Sequence, residues 1–439
     1  MTAPDRRYDV IVVGGRPAGA SLAARLGARG LSVLVVDKAE FPSHPEVPSC
    51  PLMFSSAIQV LDELGLREAD YAGAVTRIRK GILGFEGYFQ AVLDIPMTHG
   101  RDYVYGFDRA RFDHALWNHL ATLPTVERRA GFTMTDLVRD AGGRVVGIEG
   151  ATRGGPPERL GARLAVVGAD GRHSLVARKA GARVTEDQAT HTSTIHFAEW
   201  DGLAPALPSG EPALQVVSTG RGSNVLFFPS SEGRVSIATH VRADRAKVNG
   251  DPAAYYLGML HALPTVRRRI ASARQVGPLL GVRKIANRYR EPGGPGWVLV
   301  GDAVHHKDPI DGQGIYDALI GARHLAALLV GLHEQRMTWD ALLARYGRAV
   351  IDETHLMFES TMKRLVRDLY SDPPPLMIRT LARWALQDPE YQRRFLLFLT
   401  RSLSPDRFRT PSLMAGVIAR GTLRDLQRLV RRPTHPAGP

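Results

Sequence analysis

Six residues near the amino terminus have the spacing of a turn that binds a dinucleotide. The run Gly14-Gly15-Arg16-Pro17-Ala18-Gly19 follows an apolar stretch and precedes good helix formers. In a Gly-x-Gly-x-x-Gly fingerprint the first glycine makes the turn, the second admits a pyrophosphate and the third packs helix on strand. Gly14 and Gly19 hold the first and third positions, and Arg16 stands at the second. The run predicts a nucleotide site; a plain tight turn in an α/β sheet is the alternative.

An acidic residue follows at the spacing that a ribose requires. Asp37 ends the next apolar run, eighteen residues after Gly19. A carboxylate there accepts hydrogen bonds from ribose hydroxyls and repels a 2′-phosphate. We therefore expect FAD or NAD as the ligand, with a solvated strand-end acid as the alternative.

Two later strand ends separate FAD from NAD. Each carries an acid beside a glycine, at Asp170-Gly171 and at Gly301-Asp302. An acid at the end of a central strand can hold a ribityl hydroxyl. The turn over 309–314 can bring a helix N-terminus to the pyrimidine edge of a flavin, where the helix dipole stabilises negative charge by ~0.3–1 kcal/mol or more.

A parallel sheet must position these residues. Tyr8–Val13 and Leu31–Val36 read as buried strands around a helix from Ala20 to Arg29, which is a βαβ unit. The Val-rich and Leu-rich runs Arg163–Val167 and Gly296–Val300 predict two more strands of the kind buried on both faces.

The rest of the chain divides into an inserted sheet and a helical end. Alternating strand-like runs fill 185–285, 313–332 reads as a helix, and the chain from 338 onward reads as helical with a break at Pro373–Pro375. The predicted fold class is α/β. The predicted boundaries are 1–75, 100–184 and 286–335 for a discontinuous nucleotide-binding domain, 76–99 and 185–285 for a substrate-binding β-sheet domain, and 336–439 for a C-terminal helical region.

The ordered motifs resemble those of FAD-dependent monooxygenases built like para-hydroxybenzoate hydroxylase, a framework shared by geranylgeranyl reductases and flavin halogenases. The resemblance covers 1–335 and extends to Arg109–Leu116, which is similar to the arginine helix of that family. It implies an FAD-binding Rossmann-like domain of the glutathione reductase-2 type, an inserted antiparallel-sheet substrate domain and a C-terminal helical region. Two residues depart from the pattern. Arg16 replaces a glycine, as in a Gly-x-Arg-x-x-Gly subgroup of bacterial oxidoreductases, and Tyr316 stands where the family has Asn.

The resemblance also implies which residues bind FAD. Arg109 is expected near the FAD phosphates with Asp113 supporting its helix, and the Arg16 guanidinium is a candidate phosphate contact. Met134 is expected beside the adenine, although a core methionine is the alternative. The expected FAD-binding residues are Gly14, Gly15, Arg16, Pro17, Ala18, Gly19, Asp37, Lys38, Arg109, Met134, Asp170, Gly171, Gly301, Asp302, Pro309, Gly312, Gln313, Gly314 and Ile315.

The resemblance implies monooxygenation of a small aromatic or polyketide-like metabolite, by hydroxylation or epoxidation through a flavin C4a-hydroperoxide formed with NAD(P)H and O2. NAD(P)H is expected as a transient co-substrate, because no second glycine fingerprint follows a strand. A reductase or dehydrogenase of the geranylgeranyl reductase type is the alternative, since Phe227-Phe228-Pro229 is similar to a segment of those enzymes. No two tryptophans lie two residues apart, so the Trp-x-Trp-x-Ile-Pro signature of flavin halogenases is missing and we do not expect chlorination.

The resemblance implies that the inserted sheet covers the flavin and that the substrate lies between them. The candidate substrate contacts are His44, Tyr105, His196, Phe228 and His305. A surface or core role is the alternative for each. Catalytic residues are not assigned, because the cofactor carries the chemistry and several histidines could serve as a base.

The amino-acid composition limits the kinds of partner and site that the protein can have. The single cysteine, Cys50, excludes an intramolecular disulfide and a Cys-rich metal site, and we expect no metal. The net charge is +13, but the fifty arginines are scattered and no nucleic-acid-binding signature accompanies them. We expect a cytoplasmic enzyme with no transmembrane segment, and an oligomer formed through the C-terminal helices is possible. A non-catalytic protein that binds nucleic acid or a membrane through its basic surface is the alternative class.

Overall fold

The computed structural model describes residues 6–45, 49–72, 76–246, 248 and 250–430, so parts of the predicted ranges (1–5, 46–48, 73–75, 247, 249 and 431–439) lie outside the described residues. An eight-stranded sheet forms the centre of the first region. Its strands are β1 (Arg6–Val13), β2 (Val33–Val36), β8 (Val126–Arg129), β9 (Phe132–Arg139), β10 (Val145–Thr152), β11 (Glu158–Gly168), β20 (Gly293–Gly294) and β21 (Trp297–Leu299).

The predicted parallel strands lie side by side in this sheet. The order is β20-β21-β11-β1-β2-β8, with β10 paired to β11 and β9 paired to β10. Strand β1 runs parallel to β2 and to β11, and β21 runs parallel to β11. Their carboxyl ends therefore meet at one edge, which is where ligands bind in open α/β sheets.

Six helices pack on this sheet and on one another. They are α1 (Pro17–Gly27), α2 (Ser55–Asp62), α3 (Glu68–Ala72), α4 (Arg109–His119), α5 (Leu175–Ala180) and α8 (Gly314–His333). Helix α1 begins three residues before the predicted start, because Pro17 at its first position presets a helical φ.

Helix α8 is long and apolar enough by composition to cross a membrane, which the sequence reading did not anticipate, and it is the single such helix in the described ranges. It packs against α1 and against α9 (Trp339–Leu365), and 61% of its apolar window is buried. We therefore assign it as a core helix.

A second eight-stranded sheet forms the inserted region. Its strands are β5 (Lys80–Phe85), β6 (Phe89–Asp94), β13 (Ser193–Asp201), β14 (Ala213–Ser218), β15 (Ser223–Pro229), β16 (Val235–Arg242), β17 (Arg274–Gln275) and β18 (Leu280–Val282). The order is β17-β13-β16-β15-β14-β5-β6, with β18 beside β13, and the pairs are antiparallel except that β14 runs parallel to β5. Strands from both segments assigned to the substrate domain thus share one sheet, while the domain boundaries themselves stay a prediction.

Two three-stranded sheets connect the regions, and helices cover one face of the inserted sheet. The small sheets contain β3 (Leu52–Met53), β4 (Thr76–Ile78) and β7 (Val104–Gly106), and β12 (Val184–Asp187), β19 (Arg288–Arg290) and β22 (His305–His306). Helices α6 (Pro252–Ala262) and α7 (Pro264–Arg269) bury Tyr256, Leu260 and Val266 against one face of the inserted sheet.

The C-terminal region is helical, with the predicted break at the proline run. After α9 come a π-helical turn (Val366–Tyr370), the break at 371–374, α10 (Pro375–Met377), a second π-helical stretch (Ile378–Ala382), α11 (Arg383–Leu386), α12 (Pro389–Leu399), α13 (Pro405–Phe408) and α14 (Pro411–Val430). Aromatic residues of α12 and α13 share one core with Phe54 of the first region and Phe228 of the inserted sheet. The C-terminal helices therefore pack over the junction of the other two regions.

Candidate functional site

The glycine turn at the end of β1 is packed so tightly that side chains are excluded. Gly14 has φ +106°, and a Cβ there would lie 2.4 Å from the Ala169 oxygen. A Cβ on Gly19 would lie 1.8 Å from the Gly14 oxygen, and one on Gly15 would lie 2.3 Å from the ring of Trp117. The turn leaves the N-terminus of α1 at the sheet edge, where free N–H groups and the helix dipole favour a phosphate.

Asp37 is built into this turn. It follows β2, is 8% exposed, and accepts hydrogen bonds from Gly15 N–H (2.7 Å) and Ala39 N–H (2.9 Å). A carboxylate has about four acceptor positions, so two donors leave capacity for a ribose hydroxyl. The ribose contact stays a prediction, as does that of the neighbouring, exposed Lys38.

Arg16 is bonded to protein groups. Its guanidinium forms an ion pair with Asp113 and donates to the Ser43 carbonyl (3.1 Å) and the His44 carbonyl (3.3 Å). Arg109 contacts the same carboxylate, with Nη2 3.1 Å from Oδ1. The side chain of Asp113 is 0% exposed, so one buried carboxylate is shared by two arginines. The cluster therefore has a surplus positive charge beside the glycine turn, which suits a pyrophosphate.

The two later strand-end acids differ in their surroundings. Asp170 accepts hydrogen bonds from Ser174 Oγ (2.6 Å) and from the N–H groups of Leu175 (2.6 Å) and Val176 (3.1 Å), so it caps α5. Asp302 is half-buried and accepts no hydrogen bond from any described residue. Burial raises the pKa of Asp302. Asp302 is therefore the carboxylate that is open to a ligand hydroxyl.

The residues predicted for the flavin edge form one loop, Asp308–Asp317, which we call the edge loop. A 3-10 turn at Pro309–Asp311 is followed by Gly312 in the left-handed region (φ +65°), and α8 begins at Gly314. A Cβ on Gly312 would lie 3.3 Å from the ring of Phe54. The loop therefore passes close to the core that Phe54 and Phe228 share with aromatic residues of α12 and α13, which we call the apolar junction.

The inserted sheet holds the first part of the edge loop. Asp308 is fully buried, and its carboxylate contacts Ser193 Oγ and His240 Nε2, the latter at 3.1 Å. Its N–H donates to Asn287 Oδ1 (2.6 Å). Burial raises the pKa of Asp308, but the neighbouring His240 and these hydrogen bonds lower it further, so the net shift is downward. Asp308 is therefore an anion that ties the loop to β13 and β16.

The C-terminal region holds the second part. Asp311 accepts a hydrogen bond from Thr361 Oγ1 (2.7 Å) and pairs with Arg364. Gln313 donates to the Leu399 carbonyl (2.7 Å) and accepts from Arg401 (2.7 Å). Helices α9 and α12 and the turn that follows them thus fix the loop from the opposite side.

Asp317 and Tyr316 complete this network. Asp317 pairs with Lys307 and, at 2.5 Å, with Arg401. Tyr316 donates to Glu353 Oε1 (3.1 Å), and the Arg401 guanidinium lies 5.0 Å from its ring centre. The tyrosine at the family's Asn position is therefore turned toward α9.

Met134 lies on β9, is 4% exposed and belongs to the main apolar core. That placement is compatible with a packing role. The adenine contact stays a prediction.

The structure does not bring the five candidate substrate residues together. His44 lies at the surface with its side chain 58% exposed, 3.6 Å from Asp108. The Tyr105 hydroxyl is directed to Glu68. His196 and Phe228 are buried on opposite faces of the inserted sheet: His196 lies 5.6 Å from Tyr255 of α6, whereas Phe228 packs into the junction.

His305 lies behind the edge loop. Its ring stacks on Tyr289 at 4.4 Å, and it borders a small cavity that Asp317, Glu353 and His324 also line. Burial and the nearby Lys307 charge hold its pKa well below the ordinary value, so the ring is neutral. Of the five candidates, Phe228 alone faces the apolar junction beside the edge loop.

Sequence reasoning missed the residues that fix the edge loop. These are Ser193, His240, Asn287, Thr361, Arg364 and Arg401. Each lies far along the chain from its partner, and no local pattern marks it. Among the described residues no group of three or more His, Cys, Asp or Glu has the arrangement of a metal site.

Comparisons with known proteins agree with this architecture. The ubiquinone hydroxylase UbiL of Rhodospirillum rubrum is 28% identical over 446 residues, 94% of each chain. A menaquinone reductase of Mycobacterium tuberculosis is 28% identical over 363 residues, 78% of this chain and 82% of the reductase. The solved structure of the flavin-dependent brominase Bmp2 overlaps 96% of this chain and all of the brominase with a TM-score of 0.76, at 19% identity.

The model of the FAD binding domain family matches residues 7–349, a segment that runs from β1 into α9 and includes every residue predicted to bind FAD. The chain therefore belongs to this family of FAD-dependent oxidoreductases, which is built like para-hydroxybenzoate hydroxylase, and it binds FAD.

Proposed function

We propose that this FAD-dependent monooxygenase hydroxylates or epoxidises a small aromatic or polyketide-like metabolite with NAD(P)H and O2. The similarity to a ubiquinone hydroxylase over 94% of both chains supports oxygen insertion into a ring. The observation that carries the proposal is the apolar junction beside the edge loop.

The side chains of the junction are compatible with an apolar substrate. Phe54 touches the edge loop at Gly312, and Phe228, Leu226 and Ile195 on the inner face of the inserted sheet belong to, or pack against, the same core as Phe54. Side chains of this kind would suit a flat apolar ring and would exclude water. Oxygen-inserting flavoenzymes need dry surroundings at the reacting centre, because water promotes loss of the oxidising equivalent.

The residues present fit FAD. The N-terminus of α1 and the Arg16–Asp113–Arg109 cluster would hold the pyrophosphate, and the open carboxylate of Asp302 would hold a ribityl hydroxyl. The N-terminus of α8, which begins in the edge loop, would place its dipole at the flavin edge. Bound FAD supplies hydride acceptance and oxygen activation, while the protein binds, orients and keeps out water.

A reductase is the second candidate. The similarity to a menaquinone reductase over 78% of this chain supports it. Both candidates would use the same FAD site, so the discriminating property is the use of oxygen. The likeness to a brominase at 19% identity carries the fold alone, and the missing tryptophan signature favours hydroxylation over halogenation.

The test measures NADH and NADPH oxidation together with oxygen uptake by the purified holoenzyme, with phenols and quinones as substrates, in buffer with and without bromide. Stimulated oxygen uptake with incorporation of ¹⁸O from ¹⁸O2 into the product is the expected result. Substrate reduction under nitrogen would establish the reductase instead, and a brominated product would establish a halogenase.

A pair of neighbouring substitutions tests the junction. Phe228→Leu is expected to raise the KM for substrate without changing the affinity for FAD. Phe227→Leu is the matched control, because Phe227 is also buried on the same strand but belongs to the core under α6. Equal KM values for the two variants would contradict the placement of substrate at the junction.

A further inference from the structure

The last helix turns an uncharged face outward. On α14 the exposed residues Ile418, Leu423, Leu426 and Val430 fall on one side at helical spacing, with exposures of 44%, 55%, 54% and 86%. The positions between them on that side are Ala415, Ala419 and Thr422, all exposed. A helix at the surface of a soluble protein ordinarily has its polar face outward. Helix α14 buries Leu413 and Val417 on its inner side and exposes a second apolar side as well.

The charges of α14 lie on its inner side and along one edge. Arg424 donates to the Trp384 and Gln387 carbonyls, Asp425 pairs with Arg383, and Arg420 pairs with Asp388. A Cβ on Gly421 would lie 2.3 Å from the ring of Trp384, which fixes the helix closely on its neighbour. The orientation of α14 is therefore set by specific contacts, and its apolar side is left outward.

The neighbouring segment enlarges this surface. The contacts of Asp388 with Arg420 and of Arg383 with Asp425 show that the chain over 375–388 runs antiparallel to α14. Its exposed residues Leu376 (72%), Met377 (43%) and Leu381 (39%) thus lie toward the C-terminal end of α14. We define the apolar patch as Leu376, Met377, Leu381, Ile418, Leu423, Leu426 and Val430. Exposed apolar patches of large size mark protein or membrane contacts.

Charge selects between the possible occupants. Residues 336–439 contain eighteen Lys or Arg against ten Asp or Glu, and the exposed Arg428 lies on α14 between Leu426 and Val430 in sequence. A second copy of the chain would bring two basic surfaces together. An anionic lipid surface would neutralise these charges while it buries the apolar side chains, which is how amphipathic helices bind at a membrane interface.

We propose that the apolar patch docks the enzyme on the surface of an anionic membrane, with α14 lying in the plane of the interface. The contact is peripheral: the leucines enter the headgroup region, and Arg428 and other exposed basic side chains of the C-terminal region pair with lipid phosphates. It would present the enzyme to substrates dissolved in the lipid.

Flotation with vesicles tests the proposal on the full-length holoenzyme. Vesicles of phosphatidylcholine mixed with phosphatidylglycerol are compared with vesicles of phosphatidylcholine alone. The enzyme is expected to float with the anionic vesicles, less with the neutral ones, and less as salt is added, because salt screens exposed charges. Absence of flotation with both, or equal flotation with both, would overturn the proposal.

The variant Leu423→Asp/Leu426→Asp is expected to bind anionic vesicles about tenfold more weakly or worse. The matched control is Ile351→Asp/Leu356→Asp on α9, which makes the same charge change at residues of similar exposure, 45% and 46%, outside the patch. The control is expected to bind like the wild type, and the flavin spectrum reports that both variants are folded. Equal loss of binding in the two variants would refute the role of the patch.

Light scattering without vesicles tests whether a second copy of the chain, rather than a membrane, covers the patch. We expect the wild type to have the same mass as the patch variant. A dimeric wild type that becomes monomeric in Leu423→Asp/Leu426→Asp would show that a second copy covers the patch, and it would overturn the membrane assignment.

Discussion

Replacing Arg16 with glycine restores the residue that the dinucleotide fingerprint has at this position, yet we expect a less stable protein with no gain in FAD affinity. The reason is Asp113, whose side chain is 0% exposed and whose charge is shared by Arg16 and Arg109. With Arg16 removed, a buried carboxylate keeps one cationic partner and loses the other.

The contacts of Arg16 determine how much the free energy of unfolding should fall. Removing one partner of a buried ion pair costs about 3–5 kcal/mol when it leaves the other charge unpaired; because Arg109 stays 3.1 Å from Asp113, we expect about 2 kcal/mol. The flexible glycine adds about 0.5–1 kcal/mol through the unfolded chain. The Ser43 and His44 oxygens that lose a donor lie near the surface and are rehydrated, so they add little. The free energy of unfolding of the apoprotein should fall by about 3 kcal/mol in total.

The assay is urea unfolding of the apoprotein followed by circular dichroism, with FAD affinity measured separately by flavin fluorescence. Arg16→Ala removes the guanidinium without the added chain entropy of glycine. Arg111→Ala removes an exposed arginine of α4 and matches the charge change, and it should alter stability by no more than ~0.5 kcal/mol.

A double-mutant cycle isolates the pair. In an Asp113→Asn background the effect of Arg16→Gly should shrink to the glycine contribution, giving a coupling energy of about 2 kcal/mol. An unchanged apoprotein stability would refute this reasoning about the buried ion pair. A loss of FAD affinity in Arg16→Gly is compatible with it, because the cluster is proposed to hold the pyrophosphate.

Three further results are expected. Gly19→Ala should prevent FAD binding and destabilise the fold, because its Cβ would lie 1.8 Å from a backbone oxygen of the turn. The control Gly258→Ala, in open space on a helix, should have neither effect. A normal flavin spectrum for Gly19→Ala would contradict the tight packing of the turn. The pKa of Asp317 is lowered to about 2, because its two cationic partners outweigh the burial that raises it. The ionised carboxylate should stabilise the fold by about 2 kcal/mol above pH 4, and this contribution should be lost as the pH falls toward 2. Asp317→Asn should therefore reduce the dependence of the melting temperature on pH at the acid end. Asp302→Asn should weaken FAD binding about tenfold or more while leaving the apoprotein at least as stable, because this carboxylate is desolvated without a protein donor; a destabilised apoprotein would show that it has a structural partner.

The nucleotide end of the site could be predicted because its determinants are local. A strand, a glycine turn and a helix are consecutive in sequence, and the parallel order of strands brings Asp37, Asp170 and Asp302 to one edge. The same local pattern could not show that Asp170 is occupied by capping α5 while Asp302 is open.

The substrate side could not be predicted for a physical reason. Side chains alternate across a strand, so whether a residue faces the flavin depends on the pairing of distant strands. The register that sets Phe197 opposite Ala238 places His196 under α6, away from the junction. No property of His196 in the sequence distinguishes the two faces.

The edge loop shows why the FAD site and the C-terminal helices act as one unit. The family match ends at residue 349, whereas Thr361, Arg364 and Arg401 lie beyond it. Without them Asp311 would keep a buried charge with no cation, and the Asp317 anion would keep Lys307 alone. Since an uncompensated buried charge is strongly destabilising, the loop that begins α8 cannot hold this geometry by itself. The loop predicted to meet the flavin edge is therefore positioned by residues that the FAD-binding motifs do not contain, and the helices that carry the apolar patch belong to the same region that positions it.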